Sequence, residues 1–303
     1  MMEYRENRYS SSDGLELYYR EYGGGDRVVV CLHGLSRNCK DFHDLALHLS
    51  STYRVICPDL RGRGRSQYDP TGKTYNMVSY TQDVQRLLDI AGLQRPVLLG
   101  TSLGGFISLT MAYLLPGRLC AIVLNDAGPE VDPAGIKRIM GYSGTPAPPP
   151  RNWEEATALV KANHEVGLLG LPDTFWAKYA RLSYRENADG VPVAEVDPKV
   201  LTSLKATKTV GNILKSLNAV GLVKKVRGIP VDAWESFRAV NMPCLVLRGA
   251  TSDILAAETV TKMQAIKPDL AVATIPNRGH APMLDEPESL SAIDSFLERL
   301  YAA

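Results

Sequence analysis

The chain has 303 residues, 45% of them hydrophobic, and a formal net charge of +1. That size suits one large α/β domain or a core domain with an insertion. The balanced charge, without a lysine or arginine run, argues against nucleic acid or an acidic membrane as an obligatory partner. No apolar run approaches the roughly 20 residues of a membrane span, and the polar N-terminus lacks the apolar core of a signal peptide. The five cysteines are scattered, three of them inside apolar runs. They read as small core residues in a reducing compartment, not as a disulfide framework or a metal site. A cytoplasmic protein is expected.

Residues 15–20 alternate like a half-buried strand and lead into the turn Gly23-Gly24-Gly25-Asp26. Residues 27–32 and 53–57 are continuous apolar strands. The first is followed by His33-Gly34-Leu35, where glycine permits close approach of the backbone to a substrate. The second is followed by the glycine-rich stretch Asp59-Leu60-Arg61-Gly62-Arg63-Gly64-Arg65-Ser66. No GK[ST] follows, so the stretch reads as a structural turn with arginine pairing rather than a phosphate loop. Residues 78–91 suit an amphipathic helix, with Val84, Leu87, Leu88 and Ile90 as its apolar positions.

Gly100-Thr101-Ser102-Leu103-Gly104 then matches the nucleophile-elbow pattern, with a short apolar strand before it and a buried helix after it. The expected turn is tight and strained, and Gly100 and Gly104 remove the clashes that side chains would make there. A further strand at 120–124 precedes Asp126. Residues 128–240 break the alternation of strands and helices. They hold all three tryptophans, the proline-rich stretch 145–150, and helix-like segments at 152–167, 172–186 and 197–218. They read as a helical insertion over one edge of the sheet without a convincing buried strand, the proline tract being a stiff connector. Strands return at 244–247, followed by Asp253, and at 270–275, followed by His280. A helix over about 287–300 closes the chain. Continuous apolar strands alternating with helices imply a mostly parallel sheet covered on both faces.

A serine hydroxyl needs a base, usually a histidine oriented by a carboxylate. His280 lies between the last strand and the last helix, where a loop at the C-terminal sheet edge brings it beside Ser102. Two carboxylates compete to orient it. Asp253 is favoured on chain order, and Asp126 is the alternative. The Leu35 and Leu103 amides are expected to bind the oxyanion of a tetrahedral intermediate, where losing one donor costs roughly 10²–10³ in rate. His33 is read as structural, holding its loop through the ring nitrogens.

On His33-Gly34, the Asp59 to Ser66 turn, Gly100 to Gly105, Asp253 and Gly279-His280, the chain resembles the α/β-hydrolase superfamily. The resemblance is to its cap-bearing branch of esterases, lactonases and carbon–carbon bond hydrolases. It implies an eight-stranded core sheet over 1–127 and 241–303, a helical cap over 128–240, and a Ser102–His280–Asp253 triad. A serine at the elbow speaks against dehalogenase and epoxide-hydrolase chemistry, which use aspartate there, and the single glycine after His33 differs from the HGGG lipase type. The expected activity is hydrolysis of an ester or lactone of a small to medium apolar or aromatic substrate, with no cofactor and no metal. Hydrolysis of a carbon–carbon bond in a ring-cleavage product is the nearer alternative, and a non-catalytic receptor of the same fold is the distant one. Oligomeric state is left open.

Overall fold

A computed structural model describes residues 3–144, 148–205 and 233–302. Eight strands form one sheet: β1 (Arg5–Ser10), β2 (Glu16–Tyr22), β3 (Val28–Leu32), β4 (Arg54–Pro58), β5 (Val97–Thr101), β6 (Ala121–Asn125), β9 (Cys244–Gly249) and β10 (Ala271–Ile275). Their order across the sheet is β1-β2-β4-β3-β5-β6-β9-β10. The pairs β1·β2 and β2·β4 are antiparallel and the others parallel.

Strands β3 and β6 are buried along their whole length, and β5 up to Gly100. Their side chains alternate between two cores, one on each face. Val30, Leu32, Leu98, Ile122, Leu124 and Val246 face one core, beneath α2 (Met77–Ile90) and α3 (Leu103–Leu114). Val29, Cys31, Leu99, Val123, Leu245 and Leu247 face the other, beneath α1 (His43–Leu49) and the C-terminal α10 (Pro287–Ala302). Cys31, Cys57 and Cys244 are buried within strands, and all five cysteines are free thiols. Among the described residues no group of acidic, histidine or cysteine side chains is arranged to hold a metal ion, and no helix is long and apolar enough to cross a membrane.

The first strand was not foreseen. Arg-Glu-Asn-Arg-Tyr-Ser is polar, and only Tyr9 of β1 is buried. Its strand character comes from pairing with β2 at the sheet edge rather than from an apolar pattern.

Between β6 and β9 run α4 (Pro133–Gly144), α5 (Trp153–His164), α6 (Asp173–Ser183), the hairpin β7 (Tyr184–Glu186) and β8 (Pro192–Ala194), α7 (Pro198–Lys205) and α8 (Ala233–Arg238). Helix α9 (Ala257–Ile266) lies between β9 and β10. The segment expected as one helix over 172–186 stops at Ser183, and 184–186 pairs with 192–194 instead. The turn between them is closed by Asn187 N–H donating to Val191 O, with Gly190 at φ +78°. Residues 145–147 of the proline tract and 206–218 of the third expected helix lie outside the described residues. Trp176 is buried in a small core made by α5 and α6. Phe237 of α8 belongs instead to the main core, with Trp234 packed against it.

Candidate active site

The Gly100-to-Gly105 turn has the strain its composition predicts. Ser102 sits at φ +51°, ψ −111°, between β5 and α3. A Cβ on Gly100 would come within 2.2 Å of the Gly104 backbone, and one on Gly104 within 2.0 Å of Leu32 O. Glycine at both positions is therefore a steric requirement. The turn is tied to the neighbouring strand by Ser102 N–H donating to Asn125 O (3.1 Å).

His280 lies in the loop after β10, and its ring links two side chains. Nε2 is 2.8 Å from Ser102 Oγ, and Nδ1 is 2.7 Å from Asp126 Oδ2. The carboxylate beside the imidazole is thus Asp126, not Asp253. Asp126 is fully buried at φ +52°, and its N–H donates to Leu247 O at 2.7 Å. Its Oδ1 accepts from Gly249 N–H (3.0 Å), and its Oδ2 also accepts from Ser252 Oγ (2.5 Å). The Ser252 oxygen itself accepts from the N–H groups of Ile254 and Leu255, each at 3.1 Å. With its lone pairs directed at those amides, its single proton points at Asp126.

The favoured Asp253 is turned elsewhere. It is half-buried and holds Arg138 of α4 in a bidentate pair at 2.5 and 2.8 Å. Against the cost of burial, that guanidinium keeps its carboxyl below the usual carboxylate range. The physical reason for the correction is the arginine. It satisfies Asp253 in the wall of the insertion, while the three donors converging on Asp126 hold a buried charge beside His280.

Three features absent from the sequence reading hold this arrangement. Ser252 supports Asp126. Asn125 Nδ2 donates to Thr101 Oγ1 (3.0 Å) and to Pro282 O (2.9 Å), tying the end of β5 to the His280 loop. A stack of three glycines clamps that loop. A Cβ on Gly249 would meet Gly279 O at 2.2 Å, and Gly279 N–H donates to Gly167 O at 2.6 Å. A Cβ on Gly167 would lie 3.1 Å from His280 O. A G-H pair after a strand was a visible signal for the loop, but its contact with residue 167 was not.

Leu35 and Leu103 flank the serine. Leu103 is the first residue of α3, so its N–H has no acceptor inside the helix. The Leu35 loop is held by its neighbours. Arg63 Nε donates to Leu35 O (2.8 Å), and Asp59 Oδ1 accepts from Cys39 N–H (2.7 Å). His33 is fully buried. Its Nδ1 is 2.7 Å from Gly34 O, and its Nε2 accepts from Leu60 N–H at 3.0 Å. Burial, then the charge of Arg63, pushes its pKa down to about 3, so the ring is neutral. The Asp59-to-Ser66 turn carries structural pairing. Arg61 makes bidentate contacts to both Asp83 and Asp13, and Gly64 at φ +54° leaves room for the Asp59 carboxylate.

A cavity of about 90 Å³ opens onto Ser102 and His280. Leu35, Phe42, Ile139, Pro282 and Met283 give it apolar walls, and Arg37, Asp41 and His164 give it polar ones. His164 reaches in from α5 and packs edge-on against Tyr179 at 5.1 Å between ring centroids. Burial, followed by the charges of Arg37 and Arg138, lowers its pKa to about 3.

The sheet order, the strained serine turn and the Ser102–His280–Asp126 chain define an α/β hydrolase. A profile of the alpha/beta hydrolase fold matches residues 27–287, and the chain belongs to that family. It is 31% identical to a 3-hydroxybutyrate-oligomer hydrolase of Cupriavidus necator, covering 92% of this chain and 91% of the relative. It is 26% identical to a 2-(acetamidomethylene)succinate hydrolase of Mesorhizobium japonicum, covering 94% and 92%. The crystal structure of an alpha/beta hydrolase from Novosphingobium aromaticivorans superposes with a TM-score of 0.85 at 39% identity, covering 99% of each chain.

Proposed function

We propose that the protein is a serine hydrolase that cleaves a carboxylic ester or lactone of small to medium size through an acyl-enzyme. The observation that carries the reading is the unbroken hydrogen-bonded chain from Ser102 Oγ through His280 to Asp126. Ser102 Oγ attacks the carbonyl carbon as its proton passes to His280 Nε2. Asp126 accepts from Nδ1–H, fixing the tautomer and stabilising the imidazolium. The Leu35 and Leu103 amides bind the oxyanion. Nε2–H then protonates the departing alcohol, and water repeats the sequence to release the acid. The insertion between β6 and β9 acts as a cap over the pocket.

Kinship supports an ester substrate, because an oligomer of a hydroxy acid such as 3-hydroxybutyrate joins its units through ester bonds. The carbon–carbon alternative calls for a cation to anchor a substrate carboxylate. Among the described residues, Arg37 lines the pocket and Arg138 acts on His164 beside it, and the two are paired with Asp41 and Asp253.

The test is hydrolysis of nitrophenyl esters of increasing acyl length, lactones and one ring-cleavage dienoate by wild type and Ser102→Ala. Turnover of esters or lactones that vanishes in Ser102→Ala is the expected result. Turnover of the dienoate alone would replace the reading with the carbon–carbon one. Tight ligand binding with no turnover of any compound would point to a receptor.

A further inference from the structure

We propose that Arg63 is a positioning residue of the oxyanion hole, its buried guanidinium holding Leu35 and biasing that site toward negative charge. The inference rests on the acyl-enzyme reading, in which the Leu35 amide binds the oxyanion, and extends it by one residue.

Arg63 is fully buried, yet among the described residues no carboxylate pairs with it. Its partners are neutral oxygens. Nε donates to Leu35 O (2.8 Å), and Nη1 donates to Arg61 O (2.7 Å) and to Tyr80 Oη of α2 (2.9 Å). The guanidinium lies 4.8 Å from the centroid of the Tyr80 ring, and Nη2 has no hydrogen-bond partner. The acids around the turn serve other groups. Asp13 and Asp83 take Arg61, Glu195 takes Lys40, and Asp59 accepts from the amides of Cys39 and Arg65. A buried cation without a counter-ion is costly, and so is a buried N–H without an acceptor. A neutral donor could hold the Leu35 carbonyl, so the positive charge has a separate cause.

Its position supplies one. A Cβ on Gly34 would lie 3.8 Å from Ser102 Cβ, so the 33–35 loop abuts the nucleophile. The peptide joining Gly34 to Leu35 is held by the neutral His33 ring. Nε2 accepts from Leu60 N–H, so the ring proton is on Nδ1 and is donated to Gly34 O at 2.7 Å. In a trans peptide this aims the Leu35 N–H the opposite way. Arg63 holds the next carbonyl, which fixes Leu35 on both sides. Its charge is felt in the same loop, because after burial it contributes most to the lowered pKa of His33. The Arg63 backbone is fixed in turn by the insertion. Gly64 N–H donates to Glu195 O and Asp197 N–H to Gly62 O, both at 2.8 Å, around a bridge between Arg63 and Val196. A fixed cation in a dry site favours an alkoxide over a neutral carbonyl without having to reorganise.

The experiment compares wild type with Arg63→Gln, Arg63→Lys and Tyr80→Phe on the nitrophenyl ester that wild type turns over best. The second probe is a trifluoromethyl ketone with the same acyl chain. Ser102 Oγ adds to its carbonyl carbon, the serine proton passes to His280, and the hemiketal oxygen takes the place of the oxyanion. Arg63→Gln is expected to lose about 30-fold in kcat with KM unchanged and to bind the ketone more weakly by the same factor, the scale set by a hydrogen bond to a charged group. Arg63→Lys keeps the charge and should recover most of that loss. Tyr80→Phe keeps the ring but releases one Arg63 bond, and should lose about threefold in both kcat and ketone affinity. A lowered melting temperature with kcat and ketone affinity unchanged would overturn the inference, as would equal losses in Arg63→Lys and Arg63→Gln, or a loss carried by KM. If Arg63→Gln does not fold, Tyr80→Phe decides, and wild-type kcat and ketone affinity there overturn the inference. Activity that persists in Ser102→Ala, or a wild type that turns over no ester, overturns instead the hydrolase reading beneath it.

Discussion

The loops after β6 and β9 each bring an aspartate to the same edge of the sheet, yet the two residues are opposites in environment. Asp126 is sealed from solvent, held by the N–H of Gly249, the hydroxyl of Ser252 and the ring of His280. Asp253 is half-buried and paired with Arg138, a cation belonging to the insertion. What separates them is not distance along the chain but the donors each meets. A carboxylate given three hydrogen bonds in a dry site can orient an imidazole, whereas one neutralised by an arginine is spent on holding two elements together.

The sharpest way to break this comparison is to remove the groups in turn. Ser102→Ala is the reference point, with an expected loss on the order of 10⁶ in kcat and little change in thermal stability. Asp126→Asn should follow at about 10⁴-fold, because the amide favours the wrong imidazole tautomer. Steady-state kinetics would settle the choice of acid at once, since comparable losses in Asp253→Asn would falsify the assignment of Asp126. Ser252→Ala should cost about tenfold in kcat with KM unchanged, and Ser252→Thr should restore most of the rate. Asp253→Asn is expected to lose less than about threefold and to show its effect in the melting temperature, as a partly exposed ion pair is worth about 1 kcal/mol or less.

A last prediction concerns the neutral histidines. His33 and His164 have folded pKa values near 3, below the unfolded value of about 6.5. Between those values the unfolded chain binds more protons. Their stabilisation is therefore complete above about pH 6.5 and is lost as the pH falls toward 3, by up to about 1.4 kcal/mol per pH unit for each ring. Urea titrations at pH 6 and pH 4 should show a shallower acid decline for His164→Gln than for wild type. An identical decline would mean that His164 carries a proton in the folded protein.

The parallel part of the sheet was legible because buried strands leave continuous apolar runs, and the serine turn because its glycines are sterically required. The polar β1 left no such trace. Nor did the choice of acid, which depends on a backbone twist at Asp126 and on an arginine more than 100 residues from Asp253 in the chain. A usable signal did exist. Asp126 directly follows the buried strand Ala121–Asn125, while Asp253 lies four residues past the end of β9, after Ala250, Thr251 and Ser252. The position of each aspartate relative to its strand end was more informative than the order of residues along the chain.

The glycine stack at the His280 loop bears on how this scaffold can be re-engineered. Gly167 belongs to the insertion, yet its carbonyl and its missing side chain form part of the seat on which the His280 backbone rests. Grafting the insertion of another hydrolase onto this sheet, in order to import its specificity, would replace that seat as well as the pocket wall. A productive graft therefore has to keep the 164–168 turn with glycine at 167, and its junctions belong on either side of that turn.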